Sequence, residues 1–156
     1  MGDDSTARRV TDHALQLSGL RAIVSSGGSD ARSFLVEGAR RAVVDGYIPH
    51  HWLFPRVSAV VHHGGAGTTA EGLRAGVPSI IFPTGSDQHF WARRIARLGA
   101  GPEPLSRRSL ASGAIAELFF RTVEDQGMRE RARRIGEKIR TESGVAAAVQ
   151  ALLPII

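Results

Sequence analysis

The chain has 156 residues, 42% of them hydrophobic and none of them cysteine, with 20 Lys and Arg against 15 Asp and Glu for a formal charge of +5. This is the size of one ordinary domain with a real core; it excludes disulfides, thiolate metal sites and sulfur redox chemistry, and with no apolar run near the ~20 residues of a membrane span and a polar start from Met1 to Thr6, a cytoplasmic setting is expected. The positive charge would suit a polyanion, but it sits in short pairs (Arg8-Arg9, Arg40-Arg41, Arg93-Arg94, Arg107-Arg108, Arg133-Arg134) without interleaved aromatics, which points to a solvated arginine-rich face and to no nucleic-acid partner.

In chain order, a helix is expected first, from about Thr6 to Ser18, with Val10, Ala14 and Leu17 on one side and Gly19 as its stop. Nearly continuous apolar runs predict strands at Ala22 to Ser25, Ala42 to Asp45, Ala59 to His62 and Ser79 to Phe82, the form taken by parallel strands covered on both faces. Helical spacing predicts helices at about Thr69 to Ala75, Gln88 to Leu98, Leu110 to Val123, Gly127 to Arg140 and Gly144 to Leu153. Gly76 with Pro78, and Gly99 with Pro102, are clear stops. Strands alternating with helices make the class α/β, built on a parallel sheet flanked by helices, in a single domain over residues 1–156. The most basic stretch puts Met128, Ala132, Ile135 and Ile139 on one helical stripe, with Arg129, Arg131, Arg134 and Lys138 largely outside it. The plainer account is a surface helix packed on its own core; the sharper one is peripheral membrane contact.

The stretch that carries chemistry is Tyr47 to Trp91, centred on His62-His63-Gly64-Gly65-Ala66-Gly67-Thr68-Thr69-Ala70-Glu71. A strand runs into a glycine-rich turn that opens a helix. Glycines let the backbone come close to a ligand, and the helix start offers unpaired N–H groups at the positive end of its dipole, so the turn suits a phosphate. Thr68 and Thr69 add hydroxyl donors and His63 an imidazole N–H. The same residues have a structural account, since Thr68-x-x-Glu71 has the spacing of a capping box. A metal is not expected: neighbouring side chains on a strand face opposite ways, so His62 and His63 do not chelate together if the strand continues through them.

Two further clusters flank this turn. In Pro83 to Trp91, Asp87 and Gln88 open a helix with a carboxylate and an amide, groups matched to sugar hydroxyls; Asp87 also reads as an N-cap, with Trp91, Ile95 and Leu98 as the buried face. In Tyr47 to Pro55, an aromatic loop between strands, Tyr47 and His50 are the polar candidates, while Leu53 and Phe54 read as core anchors. Gly65-x-Gly67 with Asp87 twenty residues beyond Gly67 also imitates the dinucleotide fingerprint of nicotinamide enzymes. That fit is imperfect, because Asp87 lies past Pro83 and Gly85, at a helix start rather than a strand end.

Taken together, the run from Ile48 through Pro78, followed by Pro83 and Asp87-Gln88-His89-Phe90-Trp91, resembles the UDP-glycosyltransferase family, in its sterol or lipid glucosyltransferase-like branch. The resemblance extends more loosely from Arg21 to Val149. It implies a Rossmann-like C-terminal half of a GT-B fold that holds a UDP-sugar, with UDP-glucose the expected donor, for metal-independent, inverting hexosyl transfer to a small-molecule hydroxyl. It implies that His63, Gly65, Ala66, Gly67 and Thr68 face the diphosphate, that Glu71 faces the ribose, and that Asp87 and Gln88 hold the sugar. Tyr47 and His50 stand where plant members carry Trp and Gln around the base, a departure in this sequence. The family's general base is a His of the N-terminal domain, so no catalytic residue is assigned here, and acceptor contact is expected through that domain. A Rossmann-like half also opens with a strand, which is not seen ahead of Thr6; the expectation is an exposed sheet edge that self-association would cover. A nicotinamide enzyme and a nucleotide-sugar-binding module without catalysis are the alternatives.

Overall fold

The computed structural model describes residues 4–25, 40–44, 46–105 and 111–153, with side chains from residue 9 onward. The strand end expected at Asp45, the Arg107-Arg108 pair and the helix start expected at Leu110 lie outside these residues.

The order is α1 (Asp4–Ser18), β1 (Ala22–Ser25), β2 (Arg41–Val44), α2 (His50–Leu53) running into a 3₁₀ turn (Phe54–Arg56), β3 (Val60–His62), α3 (Ala66–Ala75), β4 (Ser79–Ile81), α4 (Gln88–Arg97), α5 (Ser112–Glu124), α6 (Gln126–Arg140) and α7 (Gly144–Leu152). The strands form two parallel pairs, β1 with β2 and β3 with β4, in the registers Val24 to Val43 and Val61 to Ile80. Parallel strands need a crossover, and α3 supplies it between β3 and β4. Among the described strands only β4 is buried on both faces. Ile23 and Val61 are each 48% exposed, so the expectation that all four strands are covered on both sides holds for β4 alone among the described residues.

Three apolar clusters form the interior. Ala14 of α1 meets Ile80 of β4 and Ile115, Ala116 and Phe119 of α5. Ile81 meets Ala92 and Ile95 of α4, Ala100 and Ala132 of α6. Phe54, Val60 and Val77 form the third, so Phe54 is the anchor that its loop position predicts. Leu17, expected on the inner stripe of α1, is exposed instead. A buried ion pair joins Arg41 of β2 to Asp12 of α1.

The stripe of α6 faces inward: Ala132 and Gly136 are buried and Met128, Ile135 and Ile139 partly so. Glycine is required at the crossing, because a Cβ on Gly136 would lie 2.8 Å from the Cα and N of Gly76. Gly76 itself ends α3 at φ +74°, with Gly76 N–H donating to Leu73 O and Val77 N–H to Gly72 O, the double closure of a Schellman motif. On the outer side of α6, Glu130 binds Arg133 and Arg134. No described helix is long and apolar enough to cross a membrane, and every residue of α7 is exposed.

Candidate functional site

β3 ends at His62 and aims the chain into the glycine turn. Gly64 is buried at φ +96°, a conformation that glycine adopts without cost. Its N–H donates to His62 Nδ1 at 3.1 Å. Gly65 is the N-cap of α3 and makes no side-chain cap, so the helix opens on bare backbone. The first intrahelical bond runs from Thr69 N–H to Gly65 O, which leaves the N–H groups of Ala66, Gly67 and Thr68 outside the helical ladder. Ala66 and Gly67 are exposed and Thr68 is half-buried. The His63 imidazole lies over Gly65, where a Cβ would come within 2.7 Å of its Nε2. An imidazole and three unpaired N–H groups thus meet at the positive end of one helix dipole, an arrangement that attracts a polyanion.

The helix starts at Ala66 rather than Thr69, and this revises two sequence expectations. Thr68 is already inside the first turn and Glu71 a turn further on, so the Thr68–Glu71 capping box is not formed. Glu71 is half-buried on α3. Thr69 is fully buried with its hydroxyl on Gly65 O at 2.9 Å, so it closes its own helix and offers nothing to a ligand.

The second cluster is tied to the first by contact. A Cβ on Gly64 would stand 2.6 Å from Ile81 Cγ2 and 3.3 Å from Gln88 O, so the glycine turn lies directly against the start of α4. Gln88 Oε1 accepts from Thr84 N (2.7 Å), Thr84 Oγ1 (3.0 Å) and Gly85 N (3.2 Å). The carbonyl side of the amide is therefore committed to the turn, and the NH₂ remains as a donor. Asp87 stands at the N-cap position of α4 without capping it; its Oδ2 accepts from Trp91 Nε1 at 2.9 Å. Ser86, just before it, takes φ +50°, unusual for a residue with a side chain. Asp87 is exposed at the start of α4 and not at the end of β4, so it does not occupy the place of the acidic residue in a dinucleotide site.

The third cluster is only partly drawn in. His50 opens α2 and stacks on Phe54, with ring centroids 4.5 Å apart. It also acts electrostatically on His62. Tyr47 is 84% exposed, and among the described residues no hydrogen bond or ring contact ties it to the turn.

Three contributors were given no part in the site from the sequence. Thr84 fixes Gln88, and Trp91 fixes Asp87; both are four-residue spacings at a helix start, a readable signal. The third is His62, whose Nδ1 holds Gly64 while its Nε2 is buried with no partner among the described residues. Burial, reinforced by His63 and His50, pushes its imidazole down to about 4.

The family described as Erythromycin biosynthesis protein CIII-like, C-terminal domain, matches residues 15–153. The chain belongs to this family of C-terminal glycosyltransferase domains. It is similar to the sterol 3-beta-glucosyltransferase of Cryptococcus neoformans, 37% identical over 166 residues that cover 97% of this chain and 10% of that protein. It is also similar to the O-mycaminosyltylonolide 6-deoxyallosyltransferase of Streptomyces fradiae, 39% identical over 81% of this chain and 31% of the relative. The chain thus spans about a tenth of the length of the fungal relatives and under a third of the bacterial one. Among solved structures it is similar to CalG4, the calicheamicin glycosyltransferase, with a TM-score of 0.81 at 23% identity over 98% of this chain and 38% of that one. The glycosyltransferase VinC, in complex with DTDP, follows with a TM-score of 0.73 at 23% identity over 87% and 36%. The fold of this chain is accordingly that of one half of a GT-B glycosyltransferase, as the resemblance implied.

Proposed function

We propose that this domain holds the nucleotide-sugar donor, a UDP-hexose with UDP-glucose as first choice, for inverting transfer to a hydroxyl of a small lipophilic acceptor. The observation that carries the reading is the bare N-terminus of α3, with Ala66, Gly67 and Thr68 N–H groups beside His63, packed through Gly64 against the helix that presents Asp87 and Gln88. The first set matches diphosphate oxygens and the second matches sugar hydroxyls. In this reading Glu71 meets the ribose, and Tyr47 and His50 flank the base. The names of the relatives support a hexosyl donor and, through the fungal ones, a sterol acceptor.

The contribution to catalysis is electrostatic: the α3 N-terminus and His63 stabilise the diphosphate as it leaves with the developing charge. No metal is required for that. The acceptor pocket and the base that deprotonates its hydroxyl are assigned to a partner domain, so the 156 residues alone bind donor without transferring it; general-base help of roughly 10²–10⁴-fold and the gain from proximity are both absent.

Isothermal calorimetry with UDP, UDP-glucose and NAD tests the reading. UDP and UDP-glucose binding with no NAD binding is the expected result, and NAD binding without UDP binding would overturn it. Glucoside formed from UDP-glucose and a panel of sterols and phenols by these residues alone would overturn the division of labour.

A further inference from the structure

The glycine turn works only if its buried first amide is satisfied, and one side chain does that. Gly64 is buried, so its N–H needs a partner. The partner is the ring of His62, two residues back, which accepts at Nδ1. Accepting there fixes the neutral ring as the tautomer with its proton on Nε2. The bond also fixes the plane of the peptide between His63 and Gly64, and with it the entry of the chain into α3. In that setting His63 reaches over Gly65, its Nε2 2.7 Å from where a Gly65 Cβ would be.

We propose that His62 is the positioning residue of the phosphate turn: by accepting the Gly64 N–H with a neutral ring, it turns His63 and the first N–H groups of α3 toward a single nucleoside diphosphate. The inference rests on the donor-site reading above. It concerns a residue that touches no ligand itself and acts through Gly64. Removing the acceptor leaves a buried N–H unpaired, and the cheapest relief is rotation of the 63–64 peptide toward another partner, which carries His63 away from Gly65. The ring stays neutral because it is buried and because the titratable groups acting on it, His63 beside it and His50 of α2, both oppose a further positive charge. Ile81, its register partner on β4, brings no charge.

The chemistry singles out its own rescue. Asn carries an acceptor oxygen on Cγ, the same number of bonds from the backbone as histidine Nδ1, and its side chain bonds the N–H two residues on in ordinary Asx turns. Phe keeps the ring and loses the acceptor.

Calorimetry with UDP on the wild-type chain, His62→Phe and His62→Asn tests the proposal, with folding of each followed by circular dichroism. His62→Phe is expected to weaken UDP by roughly ten-fold or more, and His62→Asn to stay within about three-fold of wild type. Equal losses in both variants, or undiminished binding by a folded His62→Phe, would overturn the positioning role while leaving the donor site standing. Failure of the wild-type chain to bind UDP would instead bring down the donor reading, and this role with it. If His62→Phe does not fold, nitrogen NMR of the wild-type imidazole and amide exchange at Gly64 decide: an Nε2-protonated ring with a protected Gly64 amide is expected, and an Nδ1-protonated ring or a freely exchanging Gly64 overturns the proposal.

Discussion

Gly64 faces the carbonyl of Gln88: a methyl group on Gly64 would lie 3.3 Å from the Gln88 carbonyl oxygen and 2.6 Å from Ile81 Cγ2. A side chain on Gly64 would strike Ile81 of β4 and press on the first turn of α4, and the positive φ at Gly64 disfavours a side chain on its own account. Gly64→Ala is therefore expected to lower stability by about 2–4 kcal/mol, combining overpacking with backbone strain, and to weaken UDP and UDP-glucose together. Urea denaturation gives the first value and calorimetry the second. A folded Gly64→Ala that binds both ligands as wild type does would mean that the turn accepts a side chain there.

The two adjacent threonines are expected to separate binding from folding. Thr68 is half-buried with its N–H outside the helical ladder, whereas Thr69 is buried with its hydroxyl on Gly65 O. Thr68→Ala and His63→Ala should each weaken UDP by about 1–3 kcal/mol with the thermal midpoint little changed, and Thr69→Ser should retain both properties. Unchanged UDP affinity in folded His63→Ala and Thr68→Ala would remove both residues from the site.

Asp87 and Gln88 are expected to read the sugar rather than the phosphate. Asp87→Asn keeps an acceptor for Trp91 Nε1 but loses the charge, so UDP-glucose affinity should fall more than UDP affinity. Gln88→Glu keeps the oxygen that accepts from Thr84 and Gly85 while replacing the outward NH₂ donor with an acceptor, and should act in the same direction. Equal losses for both ligands would show that these residues serve only the turn and the helix start.

Acid should destabilise the domain through His62. Its imidazole titrates near 4 in the fold against 6.5 for an ordinary histidine, so the unfolded chain takes up the proton first. The stabilisation is complete above pH 6.5 and declines as pH falls toward 4, by about 2 kcal/mol at pH 5 and about 3 kcal/mol in full. Urea midpoints at pH 7 and pH 5 should show that loss in wild type and a smaller one in His62→Asn, which has nothing to titrate. Identical pH slopes would mean that His62 titrates normally in the fold.

Glycine packing gives a matched pair of stability tests. Gly136→Ala should cost about 2–4 kcal/mol, because its Cβ would strike the backbone of Gly76 and Leu73 O. Gly113→Ala, within α5 and with nothing within 4 Å of its Cβ, should instead gain up to about 1 kcal/mol. Similar effects from both would contradict the close crossing of α6 on α3.

The sequence by itself determined what depends on neighbours along the chain. Apolar runs located the four described strands to within a residue or two, and Gly19, Gly76 and Gly99 marked helix ends that do adopt positive φ. The linear order of glycines, histidine, acid and amide also carried the family, because a strand, glycine turn and helix start follow one another along the chain. Only the tertiary structure decided which polar groups remain for a ligand. Thr68 and Thr69 look alike in sequence, but moving the start of α3 to Ala66 buries one hydroxyl on Gly65 O and leaves the other half-exposed. Gln88 reads as a two-way hydrogen-bonding group until Thr84 and Gly85 occupy its oxygen. His62 reads as a strand residue until burial and the Gly64 amide fix its tautomer. In each case the deciding quantity is competition for a donor or acceptor between residues two to four apart; the spacing along the chain offers the pairing, and where each helix starts and what is buried decide whether it forms.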